Sequence, residues 1–291
     1  MVNIQWYPGH MEKARRDMQD SLKAVDMIIE VRDARIPLSS ANPMLDQMAQ
    51  GKPRLILLSK RDLADETVTK QWIDALSRED RIVIACDIAK DPNVKKMVVE
   101  ASKKLTEAKR QRMIRRGIKP RAMRAMACGI PNAGKSTLIN RIAGRKSAKT
   151  EDRPGVTRSL TWIHADASLE ILDTPGVLWP KFSDPRTGSK IAAVGSINED
   201  ILDLKSVAMD TMHIIRRDYP GLLENEFHCE SGIRTDRMLD EIARERHLLR
   251  NDGAMDADRA ASLFLHELRR GAYGGISLER PDEEDNKDLS E

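Results

Sequence analysis

Gly129-Ile130-Pro131-Asn132-Ala133-Gly134-Lys135-Ser136, followed by Thr137-Leu138-Ile139-Asn140, is the stretch that decides the fold. Glycine stands at its first and sixth positions and the run closes on Lys-Ser, the pattern of a phosphate-binding loop. The glycines let the backbone wrap so that its N–H groups, from Asn132 and Ala133 through Gly134, Lys135, Ser136 and Thr137, turn toward phosphate oxygens. The helix that follows adds its N-terminal dipole at the same spot. Lys135 would reach the β- and γ-phosphates, and the Ser136 hydroxyl would ligate Mg²⁺. The apolar Met123 to Cys128 leads in as a strand, so strand, loop and helix come in the required order.

Other apolar runs alternate with polar stretches of helical period. Val25 to Val31 (VDMIIEV), Arg54 to Leu58 (RLILL), Arg81 to Ala85 and Leu169 to Leu172 read as buried strands, and Thr67 to Leu76 reads as a helix. That alternation predicts an α/β domain with a mostly parallel sheet and helices on both faces. Beyond Asp184 the pattern becomes helical. Asp236 to His247 and Asp256 to Arg270 read as amphipathic helices, each opening with an Asp at an N-cap, and Gly271 stops the second. The expected organisation is an amino-terminal arm over 1–20, a nucleotide domain over 21–183 and a small all-α domain over 184–278. An acidic tail over 279–291 has little to pack and is expected to be disordered.

The chain has 291 residues, enough for roughly two domains. Hydrophobic residues make up 40%, and 49 basic residues against 46 acidic give +3, too near neutral to identify a partner. No run approaches the roughly 18 apolar residues of a membrane span, and the start lacks signal-peptide character. Cys86, Cys128 and Cys229 are sparse and odd in number, which suits a reducing cytosol, so a cytoplasmic protein is expected. Charge is uneven: residues 103–124 hold ten Lys or Arg and one Glu. That run reads either as a solvated helix face plus linker or as a surface for a phosphate backbone. His164, His213, His228, His247 and His266 form no ligand constellation.

Leu169 to Leu172 runs into Asp173-Thr174-Pro175-Gly176. Asp173 at a strand end would hold Mg²⁺ through water, while the Gly176 N–H would bond the γ-phosphate and lose that bond on hydrolysis. Between the two motifs, Arg153-Pro154-Gly155-Val156-Thr157 offers a hydroxyl, that of Thr157, to complete the Mg²⁺ shell. Together these elements resemble a nucleotide-switch GTPase. Such an enzyme needs a carboxylate for guanine N1–H and the exocyclic amine, usually in an Asn-Lys-x-Asp motif downstream of DxxG. Here the match lies upstream: the strand Arg54 to Leu58 ends in Ser59-Lys60-Arg61-Asp62, and Arg81 to Ala85 ends at Cys86-Asp87, where a second base-contacting loop falls. Base loops before phosphate loops read as a circularly permuted GTPase.

At this point the chain resembles the ribosome biogenesis GTPase A family (RbgA, also called YlqF), whose members share that permuted order. The resemblance includes Trp6-Tyr7-Pro8-Gly9-His10-Met11 with Lys13-Ala14, and Asp33-Ala34-Arg35-Ile36-Pro37 with Ser40 and Asn42-Pro43. With the phosphate loop, Pro154 to Thr157 and Asp173 to Gly176, it spans residues 3 to about 270. It implies a monomeric assembly factor for the large ribosomal subunit that binds rRNA and hydrolyses GTP with Mg²⁺. One departure is Ser59, where the family usually has Asn to contact the base edge and brace the phosphate loop. Val177 occupies the place where many switch GTPases carry a water-orienting Gln. The resemblance implies that His10 takes over on the ribosome; the alternative is a turn residue that helps Trp6 and Tyr7 dock. Asn132 resembles a K⁺-ligating loop Asn, or it simply suits the loop's conformation. Two other functions stay open at the level of sequence: an rRNA-binding scaffold with GTP as a structural ligand, and an ATP-dependent small-molecule kinase.

Overall fold

The computed structural model describes residues 16, 19–49, 51–144, 161–175 and 184–281. Its centre is a six-stranded sheet in the order β3-β2-β1-β4-β6-β5. The strands are β1 (Met27–Asp33), β2 (Arg54–Ser59), β3 (Arg81–Ala85), β4 (Met123–Gly129), β5 (Thr161–Asp166) and β6 (Leu169–Asp173). All pairings are parallel except that of β5 with β6 at one edge. Every residue of β1 is buried, as expected of a central parallel strand covered on both faces.

Side chains alternate between the faces. Met27, Ile29, Val31, Leu55, Leu57, Ala125 and Ala127 pack with α3 (Val94–Arg115) and α4 (Lys135–Ala143) through Val94, Val98, Leu138 and Ile142. On the other face, Ile56, Leu58 and Val83 meet Val68, Trp72 and Leu76 of α2 (Glu66–Leu76). Ile28, Met126 and Cys128 meet Leu22 and, from α1 (Pro43–Met48), Leu45. Helices therefore lie on both faces, as the alternating pattern implied.

The edge strand β5 was not among the sequence expectations. It alternates exposed Trp162 and His164 with buried Ile163 and Ala165, and a tight turn joins it to β6, where Asp166 Oδ1 accepts from Ser168 N and Oγ at 2.7 Å each. Short half-buried strands of mixed residues give a weaker signal than the apolar runs of central strands.

From α5 (Pro185–Ala193) onward the described chain is helical: α6 (Leu204–Asp218), α7 (Leu222–Glu226), α8 (Thr235–Glu245) and α9 (Ala257–Arg269). Val207, Met212 and Ile215 of α6 pack with Leu239 and Ile242 of α8 and Phe264 and Leu265 of α9. Asp256 caps α9 as expected by accepting from Arg259 N at 3.0 Å, and Gly271 lies beyond its end at φ +77°. Asp236 does not cap α8. The cap of that helix lies two residues earlier, at Arg234, and Asp236 sits in the first turn, bonded to the Arg234 guanidinium at 3.0 Å. Among the described residues no helix is long and apolar enough to cross a membrane.

The acidic tail begins later than expected. Glu279 is buried, and its carboxylate accepts from Leu38 N at 2.8 Å and Ser39 N at 3.1 Å and pairs with Lys190 Nζ at 3.3 Å. A glutamate with that many donors is a structural anchor, and residues 282–291 lie outside the described chain.

The topology fixes where a ligand belongs. From β1 the chain moves outward through β2 to β3, then returns to β4 on the other side of β1. In open sheets of this kind ligands bind beyond the carboxyl ends of the strands where the winding reverses. The residues after β1, β2, β4 and β6 converge there.

Candidate functional site

The phosphate loop leaves β4 at Gly129, and this position accepts no side chain: a Cβ there would lie 2.5 Å from the Val31 carbonyl oxygen of β1. Asn132 takes φ +58° and Gly134 φ +99°, left-handed conformations that Gly adopts freely and Asn tolerates. Gly134 then caps α4 without a side-chain bond, which leaves the first-turn N–H groups of that helix to an anion. Asn132 Nδ2 also donates to the Gly195 carbonyl at 2.7 Å, tying the loop to the turn after α5.

Lys135 and Asp173 meet at 2.5 Å, both almost buried. Thr174 Oγ1 donates to Ala127 O at 2.8 Å and so fixes the end of β6 to β4. The cation expected on phosphates and the carboxylate expected near Mg²⁺ thus share one small space. Ser136 and Thr137, in the first turn of α4, are partly exposed beside them.

The base-side loop is joined to the phosphate loop by one hydroxyl. Ser59 Oγ, at the end of β2, lies 2.9 Å from Arg32 O and 2.5 Å from Ala133 O. A hydroxyl has one proton, so it donates to one carbonyl at a time. The shorter side chain thus still reaches the loop that the usual Asn would brace. A Cβ on Gly134 would touch Ser59 Cβ at 3.6 Å and Ile88 Cδ1 at 3.7 Å, so the loops after β2, β3 and β4 converge.

Lys60 follows at φ +55° and its ammonium lies 2.9 Å from Asp33 Oδ2. Burial lowers the Lys60 pKa, with Asp33 opposing it. Asp33 is itself held by Arg35 in a two-point contact of 2.8 and 2.9 Å. Burial alone would raise the Asp33 carboxyl, but Arg35 and Lys60 hold it well below the usual carboxylate range. Asp62 sits in the 3-10 turn Arg61–Leu63, where its Oδ2 accepts from Lys90 Nζ at 2.8 Å. Lys90 also pairs with Asp87 Oδ2 at 3.2 Å, and Asp87 Oδ1 orders its own loop by accepting from Ala89 N and Lys90 N. Bonds to the two carboxylates raise the Lys90 pKa.

Cys86 departs from the expected base contact. Its side chain is buried in the sheet core, its N–H is taken by Leu58 O at 3.0 Å, and burial pushes its thiol up to about 12. Only the loop from Asp87 onward faces the base-side residues. Burial likewise raises the Cys128 thiol, consistent with a strand residue and not a nucleophile.

In the basic run, Lys109 and Arg121 converge on buried Asp26 at 2.6 and 2.8 Å, Lys103 pairs with Asp166, and Arg124 pairs with Glu170 and lies over Trp162. Lys109 is therefore a fold contact. Among the described residues, Lys104, Arg112, Arg115, Arg116 and Lys119 have no ion-pair partner. His10, Thr157 and Gly176 lie outside the described residues. Among the described residues no cluster of His, Cys, Asp and Glu could hold a metal by itself.

Sequence reading missed Lys90 and the roles of Asp33 and Arg35. Lys90 gave no signal, since a lysine three residues after an aspartate in an exposed turn is commonplace. Asp33-Ala34-Arg35 stood in the quoted motif, but the pair of Asp33 with Lys60 forms only once β1 and β2 lie side by side.

The family model described as 50S ribosome-binding GTPase matches residues 124–219. The chain is 44% identical over 285 residues to the ribosome biogenesis GTPase A of Priestia megaterium, covering 97% of this chain and 98% of that one. It is 43% identical to the protein of the same name from Bacillus cereus, covering 96% and 95%. Its fold matches that of GNP-bound YlqF from T. maritima with a TM-score of 0.68 at 29% identity, covering 93% of this chain and 99% of that one.

Proposed function

The chain belongs to the ribosome biogenesis GTPase A family, and from that premise we propose that it binds the large ribosomal subunit late in its assembly and hydrolyses GTP to GDP and phosphate there. The observation that carries the site assignment is the Ser59 hydroxyl on the Ala133 carbonyl. It joins the strand end bearing Asp62 to the loop bearing Lys135, although these loops are 74 positions apart in the chain and in permuted order.

Asp62 accepts guanine N1–H and the exocyclic amine, with the stem of Lys60 along the base and the loop at Asp87 closing the other edge. The N–H groups of Asn132 to Thr137 cradle the phosphates. Lys135, paired with Asp173, would turn to the β- and γ-phosphates and free the Asp173 carboxylate for the metal. Mg²⁺ suits this donor set, a hydroxyl and a carboxylate being hard oxygen ligands that it prefers. Ser136 and Thr157 would ligate it directly and Asp173 through water; when bound, the ion neutralises charge on the β- and γ-oxygens. The Gly176 N–H bonds the γ-phosphate, and His10 orients the attacking water. The Asn132 side-chain oxygen would ligate K⁺ beside the phosphates, while its Nδ2 donates to Gly195 O. The protein acts as a cytoplasmic monomer on rRNA through the unpaired cations of α3 and the helical region.

The test is co-sedimentation with large ribosomal subunits in a non-hydrolysable GTP analogue and in GDP. Binding in the analogue that is lost in GDP supports the reading. Equal binding in both, or none in either, contradicts it.

A further inference from the structure

The loop that carries Asp62 is held from the far end of the chain. On the side facing the site, the contact of Asp62 with Lys90 is exposed, and a base must displace it. The 3-10 turn Arg61–Leu63 has no side-chain cap. What fixes its direction is its backbone, and the backbone is gripped by residues 271–279.

Ile276 N donates to Leu63 O at 3.0 Å, and Asp65 N lies 3.2 Å from the Ser277 hydroxyl oxygen that accepts from it. Tyr219, just past the end of α6, accepts from Ser277 N at 2.9 Å and lies 3.3 Å from Asp65 Oδ2, to which its hydroxyl donates. Two glycines allow the approach: a Cβ on Gly275 would stand 2.7 Å from Ala64 O, and one on Gly271 2.8 Å from Leu63 Cδ2. The same segment reaches the other side of the loop. Leu278 N donates to Arg35 O at 2.8 Å, Arg35 holds Asp33, and Asp33 holds Lys60. Trp72 Nε1 donates to Glu279 O at 3.1 Å, which anchors the segment to α2. Ile276, Ser277, Leu278 and Glu279 are all buried.

We propose that residues 271–279 form a strap that positions the base-reading loop, so that guanine affinity depends on contacts made by the end of the helical region. A carboxylate that reads two base donors must be held within about half an ångström of the productive place. The strap supplies that constraint from behind, without touching the nucleotide. It also makes α6, through Tyr219, the route by which a load on the helical region changes nucleotide affinity. The inference rests on Asp62 as the guanine-reading carboxylate.

The full-length protein tests it with three ligands: GTP, GDP and magnesium tripolyphosphate, which engages the phosphate loop without a base. Gly275→Ala places a methyl against Ala64 O, and Gly275 has no positive φ to complicate the reading. Guanine-nucleotide affinity should fall about tenfold or more, since displacing a positioned group by an ångström costs up to about 10²-fold. Tripolyphosphate affinity should stay within about twofold of wild type, the usual error for independent sites. Tyr219→Phe removes the two hydroxyl ties to Ser277 N and Asp65, Ser277→Ala removes the one to Asp65 N, and both, adding no bulk, should shift the same ratio in the same direction by a smaller factor. Equal losses for all three ligands, or wild-type guanine affinity in all three variants, would overturn the strap. Asp62→Asn separates the two layers. If it switches the preference from GTP to XTP while the strap variants behave as wild type, the strap alone fails. If Asp62→Asn leaves the preference unchanged, the base assignment fails and the strap falls with it.

Discussion

Asp62 meets the Lys90 ammonium at 2.8 Å, so a guanine that takes the carboxylate must displace a cation. Pairs this exposed contribute little, so Lys90→Ala should tighten GTP binding by no more than roughly fivefold. Titration with a fluorescent GTP analogue measures it, and a large loss would instead make Lys90 a base contact. Asp62→Asn has the opposite scale. It exchanges a carboxylate that accepts two donors for an amide that accepts one, and charge-assisted bonds contribute about 1.5–3 kcal/mol each. GTP affinity should fall by roughly 10²-fold or more while XTP affinity rises. Competition between GTP and XTP reads both changes at once. Asp62, Lys135 and Asp173 could be nominated from sequence because base, phosphate and metal call for those residue types, and Ser59 from its place at the end of β2, where Asn is usual. Their contacts could not. That Ser59 would bond Ala133 O, or that Lys135 would sit on Asp173, depends on strand ends that only the folded sheet brings together.

At the scale of elements, α3 carries two kinds of cation on one helix. Lys109 reaches buried Asp26, whereas Arg112, Arg115 and Arg116 have no ion-pair partner among the described residues. Each of those three that touches an rRNA phosphate should contribute up to about one unit to the slope of log affinity against log salt. Neutralising all three should flatten the slope for large-subunit binding and leave the melting temperature unchanged. Lys109→Met should do the reverse, costing about 1 kcal/mol of stability with little change in slope, because it removes one donor from Asp26. Filter binding over a salt series together with thermal unfolding separates the cases. The long parallel strands were legible from their apolar runs, and α9 from its Asp256 cap and Gly271 stop. The edge strand β5 was not, since only alternate residues are buried. The start of α8 was misplaced because Asp236 carries the signature of a cap while it serves the first turn, where a carboxylate also suits the helix dipole.

Across the whole molecule, buried ion pairs and the carboxyl-terminal strap link the sheet to its surroundings. Asp26, Glu30 and Asp33 are buried, which alone would raise their pKa, yet Arg and Lys partners hold all three below their ordinary values of 3.8, 4.5 and 3.8. Groups whose folded pKa is lowered stabilise the fold above their unfolded pKa, and that stability is lost as pH falls through the folded values. The melting temperature should therefore be flat from about pH 7 to 5 and fall below about pH 4, with the unfolded chain taking up the protons. The strap was hidden from sequence because Glu279 opens an acidic run that reads as solvent-exposed, whereas its own carboxylate meets the Leu38 and Ser39 N–H groups. The proposed function requires GTP hydrolysis that responds to the ribosome. Val177 follows the DxxG motif and cannot orient water, so basal turnover should be slow and its acceleration should come from outside the isolated site. The most direct test is single-turnover hydrolysis of GTP with and without saturating large ribosomal subunits, for wild type and His10→Ala at equal nucleotide occupancy. The account predicts acceleration by subunits in wild type and loss of roughly 10²-fold or more of the stimulated rate in the variant, the scale on which groups that orient phosphoryl transfer act. A wild-type rate indifferent to subunits would contradict it.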